Sequence, residues 1–387
     1  MAINNSEQLK GIQTPCYLYD LDLLDLTLAQ VKEASDEFGY HVHYAMKANV
    51  NTSVLNRISS HGLGADCVSG AEILKAKETG FTTEKIVFAG VGKSDEEIRV
   101  ALQNDIFCFN CESIQEIEVI NAIAKEEQTK ARIAIRLNPD VDAQTHAYIT
   151  TGLNENKFGI NSVQLEEVMS VIQASSHIEL LGLHFHIGSQ IQTMEPFKHL
   201  CIKVNQLLQW FYNRSINIKI INLGGGLGVN YENTLDNIVD FRTYFKVFNQ
   251  FLEVKPHQEV HFELGRAIVA NCGVLLSKTL YIKPGITKDF IILDAGMTEL
   301  MRPALYQAKH EIQNISRKGQ ISDQKYDVVG PICESTDCFG KQINLPKTQR
   351  GDLFLIHTAG AYGEVMANTY NLRALVKSHC IRNGLIV

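Results

Sequence analysis

The chain has 387 residues, 45% hydrophobic and 20% charged, enough for one large domain and a smaller one. Thirty-six Lys and Arg against 43 Asp and Glu leave a net charge of −7, and with no basic stripe this argues against a nucleic-acid partner. No apolar run reaches the roughly 18 residues of a membrane span, so no membrane partner is expected either.

The opening MAINNSEQLKGIQTP lacks the apolar core of a secretory signal. Nine cysteines are scattered without a framework spacing, which suits free thiols in a reducing, cytoplasmic compartment. PCYLYDL at 15–21 reads as a strand, and a helix over 22–37 follows it. From residue 41 short apolar runs alternate with amphipathic segments. The runs are HVHYA (41–45), GLGAD (62–66), KIVFAG (85–90), IFCFN (106–110), RIAIRL (132–137), LLGLHFH (180–186), IKIINL (218–223) and VHFEL (260–264). Between them, apolar residues at three- and four-residue spacing predict helices over 51–61, 69–80, 95–104, 112–125, 163–175, 196–213 and 236–252. Ser94 followed by Asp95, Glu96 and Glu97 is a helix-start signal.

Eight strand–helix units in succession fit a closed (β/α)8 barrel, an α/β fold of the TIM type; an open doubly wound sheet is the rival. After about residue 270, VLLSKTLYI, FIILDA, KYDVVG and DLFLIHT are strands separated by turns, without long helices. They predict a C-terminal all-β domain that also takes in the N-terminal strand. The expected division is a barrel over 22–270 and a β domain from 1–21 and 271–387.

On such a barrel, chemistry sits at the C-terminal ends of the strands. Lys47, in HYAMKAN, lies just past the first strand, where its amine can form an imine with a cofactor aldehyde; the other reading is a solvated rim lysine. Gly224, Gly225 and Gly226 follow the seventh strand, where backbone N–H groups can approach a phosphate, unless the triplet is only a flexible turn. Glu263, Gly265 and Arg266 end the eighth strand in FELGRA. The carboxylate suits a pyridinium nitrogen and the guanidinium suits a phosphate or carboxylate; an internal ion pair is the alternative.

His184 and His186 are read as lying two apart on the sixth strand and sharing a face, with Ser189 beyond them. One ring can stack on a cofactor. The rival, an HxH metal site, wants that motif on the first strand with an Asp–His set on later strands; the first strand does give HVH before the lysine, but no late-strand Asp–His set is evident. Cys108 and Cys111 lack partner ligands, so no metal is expected. In the second domain Cys333 and Glu334 form a thiol–carboxylate pair in GPICESTD. Arg302 and Tyr306, in MRPALY, can hold a carboxylate, and Tyr362 in TAGAYG can reach a phosphate or substrate.

Nine segments in this order, YAMKAN, ADCVSGAE, TGLNENKFGI, HFHIGSQ, NLGGGLG, ELGR, MRPALY, GPICESTD and GAYG, resemble the fold-type III pyridoxal-phosphate-dependent decarboxylases, most closely the branch acting on diaminopimelate. The resemblance covers most of the chain. It implies pyridoxal 5'-phosphate held as a Schiff base on Lys47, with His186 stacked on the ring and Glu263 at its nitrogen. Ser189, Gly224, Gly225, Gly226, Gly265, Arg266 and Tyr362 would complete the cofactor site. Arg266, Arg302, Tyr306, Glu334 and Tyr362 would bind substrate. Cys333 would act as proton donor from the partner subunit of a head-to-tail homodimer, so that each site draws on two chains.

Within this family Glu334 suits a distal ammonium, and Arg302 with Tyr306 suits a distal carboxylate. That pattern favours meso-2,6-diaminopimelate, giving L-lysine and CO2 in the last step of lysine biosynthesis. Carboxynorspermidine, ornithine or arginine as substrate, or a non-catalytic pyridoxal-phosphate carrier, are the alternatives. Three positions depart from the family pattern. Leu264 replaces a proline, Thr336 a glycine, and Glu364 stands where an aromatic or small residue is expected, which is read as altering the rim of the site.

Overall fold

In the first half of the chain, three helices start at a serine that is followed three residues later by a glutamate. Ser69, Ser94 and Ser113 accept hydrogen bonds from the backbone N–H groups of Glu72, Glu97 and Glu116. At Ser94 the glutamate also reaches back to the cap N–H, completing a capping box. Each such cap contributes about 1 kcal/mol to its helix and fixes where the chain leaves the preceding strand.

The computed structural model describes residues 9, 11–141, 157–232 and 238–387. The first six residues of TGLNENKFGI and the start of the helix expected from 236 lie outside them. The chain divides into two compact units, one of Met1–Thr27, Val229–Val239 and Arg266–Val387, the other of Leu28–Gly228 and Asp240–Gly265. Strand β1 (Cys16–Asp20) leads directly into helix α1 (Leu21–Glu37).

The second unit is the expected barrel. Its strands are β2 (His41–Ala45), β3 (Gly64–Cys67), β4 (Ile86–Phe88), β5 (Cys108–Cys111), β6 (Ala131–Arg136), β7 (Ile178–His184), β8 (Ile220–Asn222) and β9 (Glu259–Leu264). They pair in parallel in that order, and β2 pairs with β9 to close the ring. The helices α2 (Thr52–Ser60), α3 (Gly70–Glu78), α4 (Asp95–Gln103), α5 (Ile114–Glu126), α6 (Leu165–Ala174), α7 (Glu195–Tyr212) and α8 (Phe241–Phe251) alternate with them. Strand alternation divides β9. Phe262 packs against Tyr244, Phe245 and Phe248 of α8, while Glu259, His261 and Glu263 take the other face. Cys108 packs with Val87, Ala134, Leu181 and Ile220 in an apolar cluster, which makes it a core residue.

The sixth barrel strand lies two residues earlier than its apolar run, starting at Ile178. It ends at His184, so His186 lies beyond it and the pair does not share a strand face. Lys47 sits just past the first barrel strand, as expected, in a single 3-10 turn, Met46–Ala48, that follows Ala45.

The first unit is a mixed nine-stranded sheet. Its strands are β1, β10 (Gly273–Lys283), β11 (Asp289–Leu293), β12 (Ile312–Asn314), β13 (Gln324–Val329), β14 (Cys338–Leu345), β15 (Leu353–Ile356), β16 (Lys377–Arg382) and β17 (Leu385–Ile386). Strand β1 runs antiparallel to β10 and parallel to β16, so the N-terminal strand does join the C-terminal sheet. Cys16, Leu18, Val274, Leu276, Leu355 and Ile381 form its core. Two short helices, α9 (Arg266–Val269) and α10 (Arg302–Tyr306), belong to this unit. Among the described residues no helix is long and apolar enough to cross a membrane.

Candidate active site

At the C-terminal ends of the barrel strands, polar side chains replace the apolar filling. Glu263 on β9 is buried, and both carboxylate oxygens are engaged. Asn110 of β5 and Asn222 of β8 donate to Oε1 at 2.9 and 2.7 Å, and His184 of β7 donates from Nε2 to Oε2 at 3.0 Å. Burial alone would push this carboxyl up. The charge and hydrogen bond of His184, with the charge of Lys47, outweigh it and hold Glu263 well below the usual carboxylate range. The barrel thus carries a fixed negative charge at its mouth.

Lys47 points its amine at Asp66 of β3, with Nζ 3.1 Å from Oδ2. Asp66 is fully buried. Its burial, reinforced by the charge of Glu263 and opposed by Lys47, pushes its carboxyl up to about 7. The lysine side chain keeps 40% of its exposure, so its amine is oriented by one carboxylate yet open to a reactant.

The glycine triplet is neither flexible nor free to change. A Cβ on Gly224 would lie 2.3 Å from the carbonyl oxygen of Phe185, one on Gly225 1.9 Å from that of Glu263, and one on Gly226 2.6 Å from that of Gly188. The loop is therefore pressed against the segment after β7, which carries His186 and Ser189. The Gly225 N–H donates to Nδ1 of His186 at 3.2 Å, which makes that nitrogen an acceptor. Burial, then the charges of Arg136 and Lys47, hold His186 well below its ordinary pKa, so its ring is neutral and suited to stacking. Gly265 is tight in the same way, with a Cβ there meeting Ala45 and Ala48 at 3.0 Å.

Gly225→Ala is expected to destabilise the protein by about 3 kcal/mol through this overlap. A thermal melt of the holoenzyme checks it, and an unchanged midpoint would mean that the loop can back away from β9.

These barrel residues fit pyridoxal phosphate. They offer an amine, a neutral ring, an ionised carboxylate suited to a protonated ring nitrogen, and a tight glycine loop of the kind that admits a phosphate. Asp66, Asn110, Asn222 and His184 complete the arrangement. Sequence reading singled out His184 for another role and missed the other three.

The sheet unit holds a separate cationic group. Nη1 of Arg266 donates to the hydroxyl of Tyr231 at 2.6 Å, and its guanidinium lies 4.6 Å from the ring centre of Tyr362. Tyr362 adopts a left-handed backbone, φ 55°, a strain that collects at binding sites. Arg302, the first residue of α10, is buried. Its guanidinium lies 4.3 Å from the ring centre of Tyr231, and Nη1 donates to Nε2 of His310 at 2.9 Å. Its Nε is buried with no acceptor among the described residues. Tyr306 ends the same helix, half-buried. Tyr231 and His310 gave no sequence signal of their own.

Cys333 and Glu334 lie in an exposed loop between β13 and β14. Of the nine cysteines, Cys333 alone is exposed. Asp337 anchors the loop by accepting from the backbone N–H groups of Met297 and Ile332, each at 2.7 Å. Glu334 accepts from the hydroxyl of Tyr370 at 2.7 Å. The carboxylate of Glu364 is turned to Tyr19 (2.6 Å) and Ser378 (3.0 Å), where it ties β1 and β16 into the sheet. Its departure from the family pattern therefore has a structural role instead of the expected one at the rim.

The profile of the pyridoxal-dependent decarboxylases, pyridoxal binding domain, matches residues 24–270. Diaminopimelate decarboxylase of Bacteroides thetaiotaomicron is 51% identical over 375 residues, 96% of this chain and 97% of that relative. Diaminopimelate decarboxylase of Helicobacter pylori strain J99 is 41% identical over 371 residues, 96% of this chain and 91% of that relative. Among solved structures, diaminopimelate decarboxylase from Helicobacter pylori complexed with L-lysine matches with a TM-score of 0.91 at 40% identity, covering 98% of this chain and 94% of that one.

Proposed function

Because the chain belongs to the pyridoxal-dependent decarboxylases, we propose that it converts meso-2,6-diaminopimelate to L-lysine and CO2, the last step of lysine biosynthesis. The observation that carries the substrate choice is Arg302, a buried guanidinium whose Nε donor has no acceptor among the described residues. A charge kept out of water calls for an anion, and a distal carboxylate is what separates diaminopimelate from ornithine.

When bound, pyridoxal phosphate supplies an aldehyde for the Lys47 amine and a ring that accepts the electrons left by the departing carboxylate. The protein's part is positioning and charge. Glu263, ionised and triply hydrogen-bonded, would keep a proton on the ring nitrogen. His186 would lie flat against the ring as a neutral imidazole. Ser189, Gly224, Gly225, Gly226, Gly265, Arg266 and Tyr362 would hold the phosphate side. Arg302 and Tyr306 would bind the distal carboxylate, and Glu334 the distal ammonium.

Cys333 would deliver the proton that replaces CO2 at the reacting carbon, acting from its Sγ in the site of a partner subunit. Its exposure on an anchored loop supports that reading. A head-to-tail homodimer in the cytoplasm is the assembly we propose.

The test is CO2 release from meso-diaminopimelate, ornithine and carboxynorspermidine by the same preparation. Diaminopimelate should exceed the others in kcat/KM by at least about 100-fold, the discrimination expected where a buried charged donor is left unpaired by the wrong substrate. Comparable turnover of ornithine would overturn the assignment.

A further inference from the structure

At the opposite end of the barrel, three side chains converge where β2 and β9 close the ring. His41 is the first residue of β2 and pairs in register with His261 of β9. Glu259, the first residue of β9, is on the same face as His261. One donor atom from each of these three side chains lies within 4.8 Å of the other two. Glu259 Oε2 is 3.4 Å from His261 Nε2 and 3.8 Å from His41 Nε2. Donors around a tetrahedral zinc ion, bound at about 2.0–2.1 Å, are about 3.3 Å apart.

The hydrogen bonds behind the cluster aim it. The carbonyl of Lys85 can only accept, so Nδ1 of His43, at 3.0 Å, donates to it. In uncharged rings Nε2 of His43 must then accept from Nδ1–H of His261, 2.8 Å away. That leaves a lone pair on Nε2 of His261 facing a carboxylate oxygen. Two acceptors face each other, and only a cation between them or an added proton resolves this. Metal-bound histidines commonly show this backing, with the second ring nitrogen donating to a fixed acceptor.

His261 is buried, while His41 and Glu259 are half-exposed, and the three residues border a cavity of about 590 Å³ with Lys32, Asp36 and His43. An ion has a way in and room for a bound water.

We propose that His41, Glu259 and His261 form a zinc-type metal site that clips the barrel seam at the end away from Lys47. Two imidazoles and one carboxylate favour zinc over magnesium or calcium, which prefer all-oxygen donors. The ion would join the first and last strands of the ring and stabilise the folded barrel by mass action.

Holoenzyme freed of metal with EDTA is titrated calorimetrically with zinc chloride, as wild type, His41→Ala and Glu259→Gln. Wild type should bind one zinc ion per chain that each variant binds at least tenfold more weakly. Zinc should also raise the melting temperature of wild type and not that of the His41→Ala/Glu259→Gln double variant. Lysine formation by the metal-free variants, matching metal-free wild type, shows that they are folded. Equal affinity and stoichiometry in all three proteins, or no zinc bound by wild type, would overturn the proposal; the latter would assign a proton to the gap between His261 and Glu259.

Discussion

Lys47→Ala is expected to lose decarboxylation almost entirely, with kcat falling by about 10^3-fold or more, because no other amine takes its place. The lysine is at once the group that would hold the cofactor and the counter-charge of Asp66, 3.1 Å away and fully buried. Losing the amine removes the cation paired with that buried carboxyl, which should then take up a proton near neutrality, a change that Asp66, already pushed up to about 7, is poised for. The variant should therefore fold. Borohydride reduction followed by peptide mass analysis separates the outcomes. Wild type should yield a Lys47 peptide carrying the cofactor, and the variant no modified lysine at all. A cofactor fixed covalently to another lysine in the variant would sink the assignment of Lys47.

The barrel was legible because its parallel strands are buried on both sides and so read as short apolar runs. The residues that break those runs at one end, Lys47 and Glu263, announced the site for the same reason. Their supports did not. Asn110 reaches Glu263 across 153 positions of sequence, and nothing in IFCFN says which side of the strand it takes. A signal existed nonetheless: Asn110, Asn222 and Asp66 are each a polar residue near the end of a buried strand, and such a residue needs a partner. The late sheet was read incompletely. Strands β14 and β16, CFGKQINL and KSHCIR, carry charged and polar residues on an exposed face, so neither stands out as an apolar run. His186 was misplaced by two residues because the apolar run continues past the last ladder hydrogen bond.

Arg302→Ala is the second large expectation, and it bears on substrate choice alone. The guanidinium is set before any ligand arrives. His310 donates through Nδ1 to the carbonyl of His357 at 2.8 Å, which leaves Nε2 as an acceptor for Nη1 of Arg302 at 2.9 Å. Burial, then the charge of Arg302, holds His310 down to about 3, so this acceptor stays neutral throughout the working pH range and the arm does not switch. Tyr231 covers one face of the guanidinium at 4.3 Å, and the buried Nε waits for an acceptor. A carboxylate that fills it makes a charge-assisted bond in a dry setting, worth about 3 kcal/mol, or roughly 10^2-fold in kcat/KM. Arg302→Ala should impose that loss on diaminopimelate and less than about threefold on ornithine, which brings no carboxylate to the arm. Arg302→Lys, which keeps the charge but not the planar fork, should fall between them for diaminopimelate. If both substrates lose equally, Arg302 supports the fold of the sheet unit instead of reading the substrate, and the choice of diaminopimelate must rest on other residues.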